Sequence, residues 1–297
     1  MLNYNEIDIH QILERYKGQE ICYCPNPGNA GDALIAHSTY NLFLKYKIKC
    51  SIVGLTDVVK GKSVFYGGGG NLRVTRFMEH GPLSAVRLLL EGKIKTSIKA
   101  LVKRKASIRF LRNNIKQNKE IVILPHTINA FEDFFRSAPP NLKIMCRERI
   151  SYQFVHSVIP NKMNAYLSKD LAFYLDLRNL QQKGRGTLNC FRTDTAERTN
   201  LRLPKDNIDL SRKFGNGKWE NKRRTSNIAN EFISYINQYE HINTNRLHVA
   251  IAGGLLGKKV NLYANAYYKN QAVYEYSMGK MTNVKFINQT EGALKAL

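Results

Sequence analysis

The chain is poor in acid. Its 297 residues carry 23 Asp and Glu against 46 Lys and Arg, a formal charge of +23, and that imbalance favours polyanions, anionic small molecules or an anionic membrane surface as partners. It also lacks any uninterrupted apolar run of membrane-spanning length, and Met1-Leu2-Asn3-Tyr4-Asn5-Glu6-Ile7-Asp8 has neither the basic start nor the apolar core of a signal peptide. A cytoplasmic protein is expected. Cysteine is sparse: five residues, at 22, 24, 50, 146 and 190, odd in number and without zinc spacing, which argues for buried reduced thiols over a disulfide frame. There is no internal repeat, no low-complexity tract and no metal-ligating constellation. The basic residues are not interleaved with aromatics in a single-strand or RNA-binding pattern, so nucleic acid is not an expected partner.

What is present is alternation of strand and helix. Glu20-Ile21-Cys22-Tyr23-Cys24 reads as a strand, Pro25 to Asp32 breaks the chain, and a helix is expected from about Ala33 to Tyr46. Strand, Gly/Asn turn and helix make the mononucleotide-binding arrangement, with the turn where open α/β sheets place ligands. It is not a Walker A loop, because Gly-Lys-Ser/Thr is missing. Asn29 and Asp32 suit a sugar hydroxyl, and Asp32 equally suits a helix cap. Strands at Cys50–Val53 and Ser63–Tyr66 follow, the second ending in Gly67-Gly68-Gly69-Gly70-Asn71. A plain turn needs one or two glycines, so this run is read as backbone approaching a ligand, with Gly68, Gly69 and Asn71 beside it.

Three further strands each deliver polar residues at their carboxyl ends: Ile121–Leu124 before Pro125-His126-Thr127, Leu142–Cys146 before Arg147-Glu148-Arg149, and Met163–Leu167 before Ser168-Lys169-Asp170. From Gly81 to Gln117 a basic helix is expected, with Ile94, Ile98, Leu101, Ile108, Leu111 and Ile115 near helical spacing. Its cationic faces carry Lys93, Lys95, Lys99, Lys103, Arg104, Lys105, Arg109, Arg112 and Lys116. Such a face is usually solvated; it would also suit an anionic leaflet, at about 1 kcal/mol per basic residue.

Gln181 to Gly186 reads as a flexible linker, giving domains at 1–180 and 187–297. Beyond it come a strand at Leu188–Phe191 leading to Arg192-Thr193-Asp194 with Glu197 nearby, a strand end at Ile208–Ser211, and a helix over 227–239. A short strand near His241, a strand at Val260–Tyr263 and a helix over Gln271–Met278 complete it. The fold class is α/β, two Rossmann-like domains facing a cleft. Within the second, Thr244-Asn245-Arg246-Leu247-His248 opens a short buried helix capped by Thr244 or Asn245. There the free N–H groups, the helix dipole, Arg246 and His248 together favour a phosphate or carboxylate. Alternatively Arg246 closes a salt bridge and His248 is a satisfied core histidine.

The ordered set Asn29-Ala30-Gly31-Asp32, Gly67 to Asn71, Pro125-His126-Thr127, Arg147 to Ser151, Ser168 to Ala172, Arg192-Thr193-Asp194 and Asn245-Arg246-Leu247-His248, with Asn265 to Asn270 after the last strand, resembles the polysaccharide pyruvyltransferase family over about residues 20 to 280. The resemblance implies a glycosyltransferase-B-like arrangement. It also implies transfer of the enolpyruvyl carbons of phosphoenolpyruvate onto a sugar diol of a surface polysaccharide or its lipid-linked precursor, with release of phosphate. It needs no cofactor or metal, and it puts the donor on the C-terminal side and the acceptor on the N-terminal side. Arg246, Leu247 and His248 would hold the donor, with Arg147 and Arg192 as further cations. His248 would protonate or stabilise the phosphate, and Asp32, with Asp170 in reserve, would relieve the sugar hydroxyl of its proton. Two departures are visible: residues 192–246 are short and basic, and His126 stands where Gln is expected. Loss of transfer with the fold intact is expected for His248→Ala and Arg246→Ala. A nucleotide-sugar glycosyltransferase of the same architecture and a non-enzymatic polyanion binder are the rival readings. A lipid-linked acceptor would place the protein at the inner leaflet.

Overall fold

A computed structural model of the chain describes residues 3–73, 94–193 and 202–288. In chain order it holds helix α1 (Ile9–Glu14), strands β1 (Glu20–Cys24) and β2 (Gly28–Asn29), helix α2 (Ala30–Lys45), and strands β3 (Lys49–Ile52), β4 (Ser63–Tyr66) and β5 (Gly69–Leu72). Next come α3 (Ile94–Ile115), β6 (Glu120–Ile128), α4 (Glu132–Arg136), β7 (Leu142–Cys146), α5 (Arg149–Val158) and β8 (Ala165–Leu167). A 3₁₀ turn over Leu171–Tyr174 precedes β9 (Thr187–Cys190), α6 (Leu210–Lys213), β10 (Asn216–Gly217), α7 (Lys222–Asn237) and β11 (His241–Thr244). The chain then forms α8 (Leu247–Leu255), β12 (Lys259–Tyr263), α9 (Lys269–Val273) and β13 (Val284–Ile287). No described helix is long and apolar enough to cross a membrane.

These elements divide into two compact units, residues 1–26 with 43–168, and residues 27–42 with 169–297. The first is built on a sheet that counts seven strands among the described residues, in the order β3-β1-β4-β6-β7-β8, with β5 beside β6. Every pair is parallel. Its central strands read Val64-Phe65-Tyr66 and Ile121-Val122-Ile123-Leu124, all buried, as parallel strands covered on both faces require. Tyr23, Phe43 and Phe65 meet edge to face at 5.3 and 5.7 Å on one side of it. On α3, Ile108, Leu111 and Ile115 are buried while Lys105, Arg109, Arg112 and Lys116 are exposed, the amphipathic pattern the sequence predicts. Arg104 departs from that pattern and is buried. The expected start of this helix at Gly81, and Lys93 with it, lies outside the described residues, as do the side chains of Lys95, Lys99 and Lys103.

The second unit holds a four-stranded parallel sheet in the order β13-β12-β11-β9. A row of carboxamides crosses it: Asn261 Nδ2 donates to Asn243 Oδ1 at 2.9 Å, and Asn243 Nδ2 to Asn189 Oδ1 at 3.0 Å. Residues 27–42 belong with this unit for visible reasons. Strand β2 pairs antiparallel with β10, Tyr40 Oη donates to the Trp219 carbonyl at 2.6 Å, and Ser38 Oγ to the Leu171 carbonyl.

The structure departs from the sequence reading at several places. The compact units divide at 168–169 and not in the 181–186 stretch, and the amino-terminal part of α2 joins the second unit. The stretch 181–186, read as flexible, is pinned within that unit: Arg185 N–H donates to the Gln238 carbonyl at 2.8 Å, and the buried Lys258 Nζ donates to the carbonyls of Gln182 and Asn237. A β-carbon at Gly184 would lie 2.1 Å from the Tyr239 carbonyl carbon, so only glycine allows that approach. Helix α2 starts at Ala30, which puts Asp32 inside its first turn. The strand end expected at Ile208–Ser211 runs instead into a helix over Leu210–Lys213, and β13 was not foreseen because it is only four residues of weak alternation.

Candidate active site

In the second unit the sequence-predicted residues gather at strand ends and helix starts. Residue Arg246 is the N-cap of α8, and no side chain caps that helix start; its first N–H groups have no intrahelical acceptor. The residues expected as caps do something else. Thr244 Oγ1 accepts the Arg246 N–H at 2.9 Å and donates to the Cys190 carbonyl, while Asn245 Oδ1 reaches across to accept the Arg192 N–H at 2.8 Å. The carboxyl ends of β9 and β11 are thereby tied together, and the half-buried Arg192 is fixed by its backbone. Asn270 Nδ2 performs the same service for β11 and β12, donating to the carbonyls of Asn245 and Tyr263.

Arg246 is not a lone cation. Its Nε donates to Asp209 Oδ1 at 2.9 Å and its Nη2 to Asp209 Oδ2, and the pair is 5% exposed on each side. Asp209 also accepts the Thr193 N–H and hydroxyl at 2.9 and 3.0 Å. A buried pair with its remaining lone pairs satisfied is a stable arrangement, and deleting one partner leaves an uncompensated charge at a cost of about 3–5 kcal/mol. The expectation that Arg246→Ala leaves the fold intact is therefore revised. The salt-bridge reading of Arg246 holds, and the sequence missed Asp209, which lies in a polar stretch with no periodicity. Asp194 and Glu197 lie outside the described residues.

His248 sits in the first turn of α8, its side chain 14% exposed. Its Nε2, sealed from solvent, lies 3.5 Å from Oδ2 of the fully buried Asp170. The other edge of the ring lies over the amino end of α2: a β-carbon at Gly31 would come within 2.4 Å of His248 Nδ1. Gly31 N–H donates to Asn29 Oδ1 at 2.8 Å, and Asn29 N–H to Asp32 Oδ2 at 2.9 Å. Gly28 makes room for that carboxylate, since a β-carbon there would lie 1.7 Å from it. Asn29 and Asp32 thus act first as the scaffold of this turn, and Leu247 is buried. Asp170 Oδ1 accepts the Ala172 N–H at 2.9 Å, capping the 3₁₀ turn. Beyond β12, Asn265 is buried with neither amide atom bonded, a state that calls for a ligand or an ordered water. Its place after a strand, four residues before a lysine, was visible in the sequence; its lack of partners was not.

In the first unit, four of the predicted residues form a second group. Asn71 N–H donates to Nε2 of the buried His126 at 3.0 Å, so the neutral ring carries its proton on Nδ1. Asn71 Nδ2 donates to Asn26 Oδ1. Arg147, 2% exposed, donates from Nε to Thr127 Oγ1 at 2.8 Å. Three of the four glycines have internal reasons. A β-carbon at Gly67 would lie 2.5 Å from Asn26 N, Gly69 has φ +146°, and a β-carbon at Gly70 would lie 3.2 Å from Arg147 Nη2. An excess of glycine here reflects close internal packing and strand β5, and it does not by itself require a ligand; Gly68 is buried among them. The adjoining Glu148 caps α5 by accepting the Ser151 N–H at 2.9 Å. Burial raises its carboxyl above the usual range, against the lowering pull of the Ser151 bonds and Arg147.

Comparison with known proteins bears on what this arrangement does. No curated protein matches the chain. A crystal structure of a functionally uncharacterised protein from Klebsiella pneumoniae subsp. pneumoniae is similar at 31% identity and a TM-score of 0.73, covering 95% of this chain and 97% of that one. Residues 29–267, a span that takes in the α2 turn, the glycine strand, both arginine strand ends and the Arg-Leu-His helix, match the family described as polysaccharide pyruvyl transferase, and the chain belongs to that family of enzymes.

Proposed function

We propose that the chain moves the pyruvyl group of phosphoenolpyruvate onto two hydroxyls of one sugar in a surface polysaccharide or its lipid-linked precursor. The observation that carries this reading is the meeting of two helix starts at one imidazole. His248, in the first turn of α8, rests on Gly31 in the first turn of α2. The start of α8 carries no side-chain cap and presents N–H groups and a positive dipole end, the start of α2 adds a second dipole end, and His248 adds a ring nitrogen between them. A small molecule with a phosphate and a carboxylate suits that environment. Because Asp209 neutralises Arg246, the guanidinium acts as an oriented donor held in a fixed plane, and the donor's charge is met by the helix ends, His248 and Arg192. The unsatisfied carboxamide of Asn265 offers one donor and one acceptor at the end of the adjacent strand.

The chemistry balances with two acceptor hydroxyls. One adds to C2 of the enol as its proton reaches C3, which becomes a methyl group. The C2–O bond to phosphate then breaks, the second hydroxyl closes the ketal, and its proton ends on the released phosphate. Stabilising the departing phosphate is the task the second unit's donors fit best. The exposed cations of α3, Lys105, Arg109, Arg112 and Lys116, support attraction to an anionic leaflet where a lipid-linked acceptor would reside.

The test is to incubate the purified protein with phosphoenolpyruvate and a panel of lipid-linked or nitrophenyl glycosides, following phosphate release and the mass of added pyruvyl. Release of a nucleoside diphosphate from a nucleotide sugar, with phosphoenolpyruvate untouched, would transfer the chain to the glycosyltransferase reading. Flotation with anionic but not neutral vesicles tests the leaflet; absence of flotation removes it.

A further inference from the structure

We infer that the exposed face of α7, with the short α6–β10 segment before it, is the docking surface for an acidic glycan, a sugar polymer bearing carboxylates or phosphate esters. This names the acceptor class of the proposed transfer and rests on that reading for its purpose; the binding itself does not depend on it. Between residues 210 and 231 the chain carries six cations, Arg212, Lys213, Lys218, Lys222, Arg223 and Arg224, against two acids, Glu220 and Glu231. All six cations are exposed, and among the described residues none of them is ion-paired. Three follow one another in the first turn of α7, the end at which a helix dipole disfavours positive charge. Helix stability would not put them there.

Half of these cations are held in place without being cancelled. Lys213 Nζ lies 4.2 Å from the centre of the Tyr235 ring, Lys222 Nζ 5.6 Å from Tyr40 and Arg224 Cζ 5.8 Å from Trp219. A ring face orients a cation and leaves its charge intact, so less freedom is lost when an anion arrives. Arg246 is the opposite case, its charge met by Asp209. Beyond Arg223, α7 continues with Asn227, Asn230 and Ser234, four, seven and eleven residues on and all exposed, which puts them along one side of the helix over about 16 Å. Carboxamides and hydroxyls both donate and accept, as the hydroxyls of a sugar chain do. A block of charge leading into a row of uncharged hydrogen-bonding groups fits a hydroxyl-rich polyanion. A membrane is a poorer match, because the large apolar side chains exposed among the described residues, Leu44, Val58, Val102, Ile150, Met163 and Leu180, all lie elsewhere. Nucleic acid is poorer too: base stacking needs open rings, and here Trp219 is buried while Lys213 and Lys222 cover Tyr235 and Tyr40.

The experiment titrates the full-length protein calorimetrically with polygalacturonate and with a phosphomannan, which separate the two sources of negative charge, and with dextran as the neutral polymer. The expected result is binding of an acidic polymer that weakens as salt is added, and no binding of dextran. The triple variant Lys222→Gln, Arg223→Gln, Arg224→Gln should lower that affinity roughly tenfold. Lys45→Gln, Lys49→Gln, Lys119→Gln removes the same charge from exposed positions of the first unit and should leave the affinity unchanged. Asn227→Ala with Asn230→Ala should cause a smaller loss than the first triple variant. Failure to bind either acidic polymer, equal losses in the two triple variants, or a DNA duplex bound as tightly as the acidic glycans would overturn the inference. The donor reading fails differently: phosphoenolpyruvate is then left untouched whatever glycan is offered, and the titration, which needs no turnover, still decides whether an acidic glycan docks on α7.

Discussion

At the carboxyl end of β7, Arg147 is held by the hydroxyl of Thr127, 20 residues earlier, whereas at the carboxyl end of β11, Arg246 is held by the carboxylate of Asp209, 37 residues earlier. Both guanidiniums are buried. Thr127 is a neutral acceptor on the neighbouring strand of the same sheet; Asp209 is an acid from a segment outside the regular strands. A hydroxyl holder brings no charge of its own and can be removed at moderate cost. A charged holder fixes geometry more firmly and makes each partner dependent on the other.

The sharpest way to break this contrast is to remove the holders. Asp209→Ala should lower unfolding stability by about 3–5 kcal/mol, and Thr127→Val by about 1.5–3 kcal/mol, the range for a hydrogen bond to a charged group, as read by urea denaturation. Equal costs would erase the distinction. The double variant Asp209→Ala, Arg246→Ala should cost less than the sum of its parts, since neither charge is then stranded.

The glycines give the next contrast. Gly31→Ala places a β-carbon 2.4 Å from His248 Nδ1, and Gly70→Ala one 3.2 Å from Arg147 Nη2. The first must displace the imidazole, so turnover of phosphoenolpyruvate should collapse with His248 still present; the second needs only a few tenths of an ångström from a side-chain end and should retain most activity. An active Gly31→Ala protein would mean the ring's position is immaterial.

A smaller effect belongs to the first unit alone. Burial raises the Glu148 carboxyl above the ordinary glutamate range, so the folded state holds this proton to higher pH than the unfolded state. Its contribution to stability is fully present below the unfolded value and is lost as pH rises through the folded one. Unfolding midpoints measured upward from pH 4 should therefore show a downward component that Glu148→Gln lacks; an unchanged slope in the variant would exclude it. Smallest of all is a labelling difference. Cys190, pushed up to about 12 by burial, and the enclosed Cys146 should resist alkylation in the native protein, and the half-buried Cys50 should react first. Mass spectrometry after brief treatment checks the order.

Much of this was legible from local pattern. The alternation of apolar runs and helix starts places β1, β4, β6, β7, β9 and β12, and the Arg-Leu-His element falls at a helix start as its sequence implies. Hydrophobic periodicity is a local property, so it finds elements. It does not find partners. Asp209 sits in a stretch with no period, and only the folded chain brings it to Arg246; Asp170 reads as a helix cap, which it is, and nothing in its neighbours reveals the imidazole at its other oxygen. The glycine run was over-read toward a ligand because chain entropy alone does not say whether the close neighbour is a substrate or residues such as Asn26 and Arg147. The unit boundary was misplaced for the same reason: α2 follows β1 directly, and its attachment to Trp219 and Leu171 is a long-range matter.

That attachment bears on how this protein can be cut or recombined. A fragment beginning at residue 187 would carry the Arg-Leu-His helix without Asp170 or the turn at Gly28 to Asp32 that meets its histidine. A chimera that exchanges carboxyl-terminal halves between relatives has to carry residues 27–42 and 169–186 along with the rest, as a discontinuous cassette, or it will join two ancestries in the middle of one compact unit.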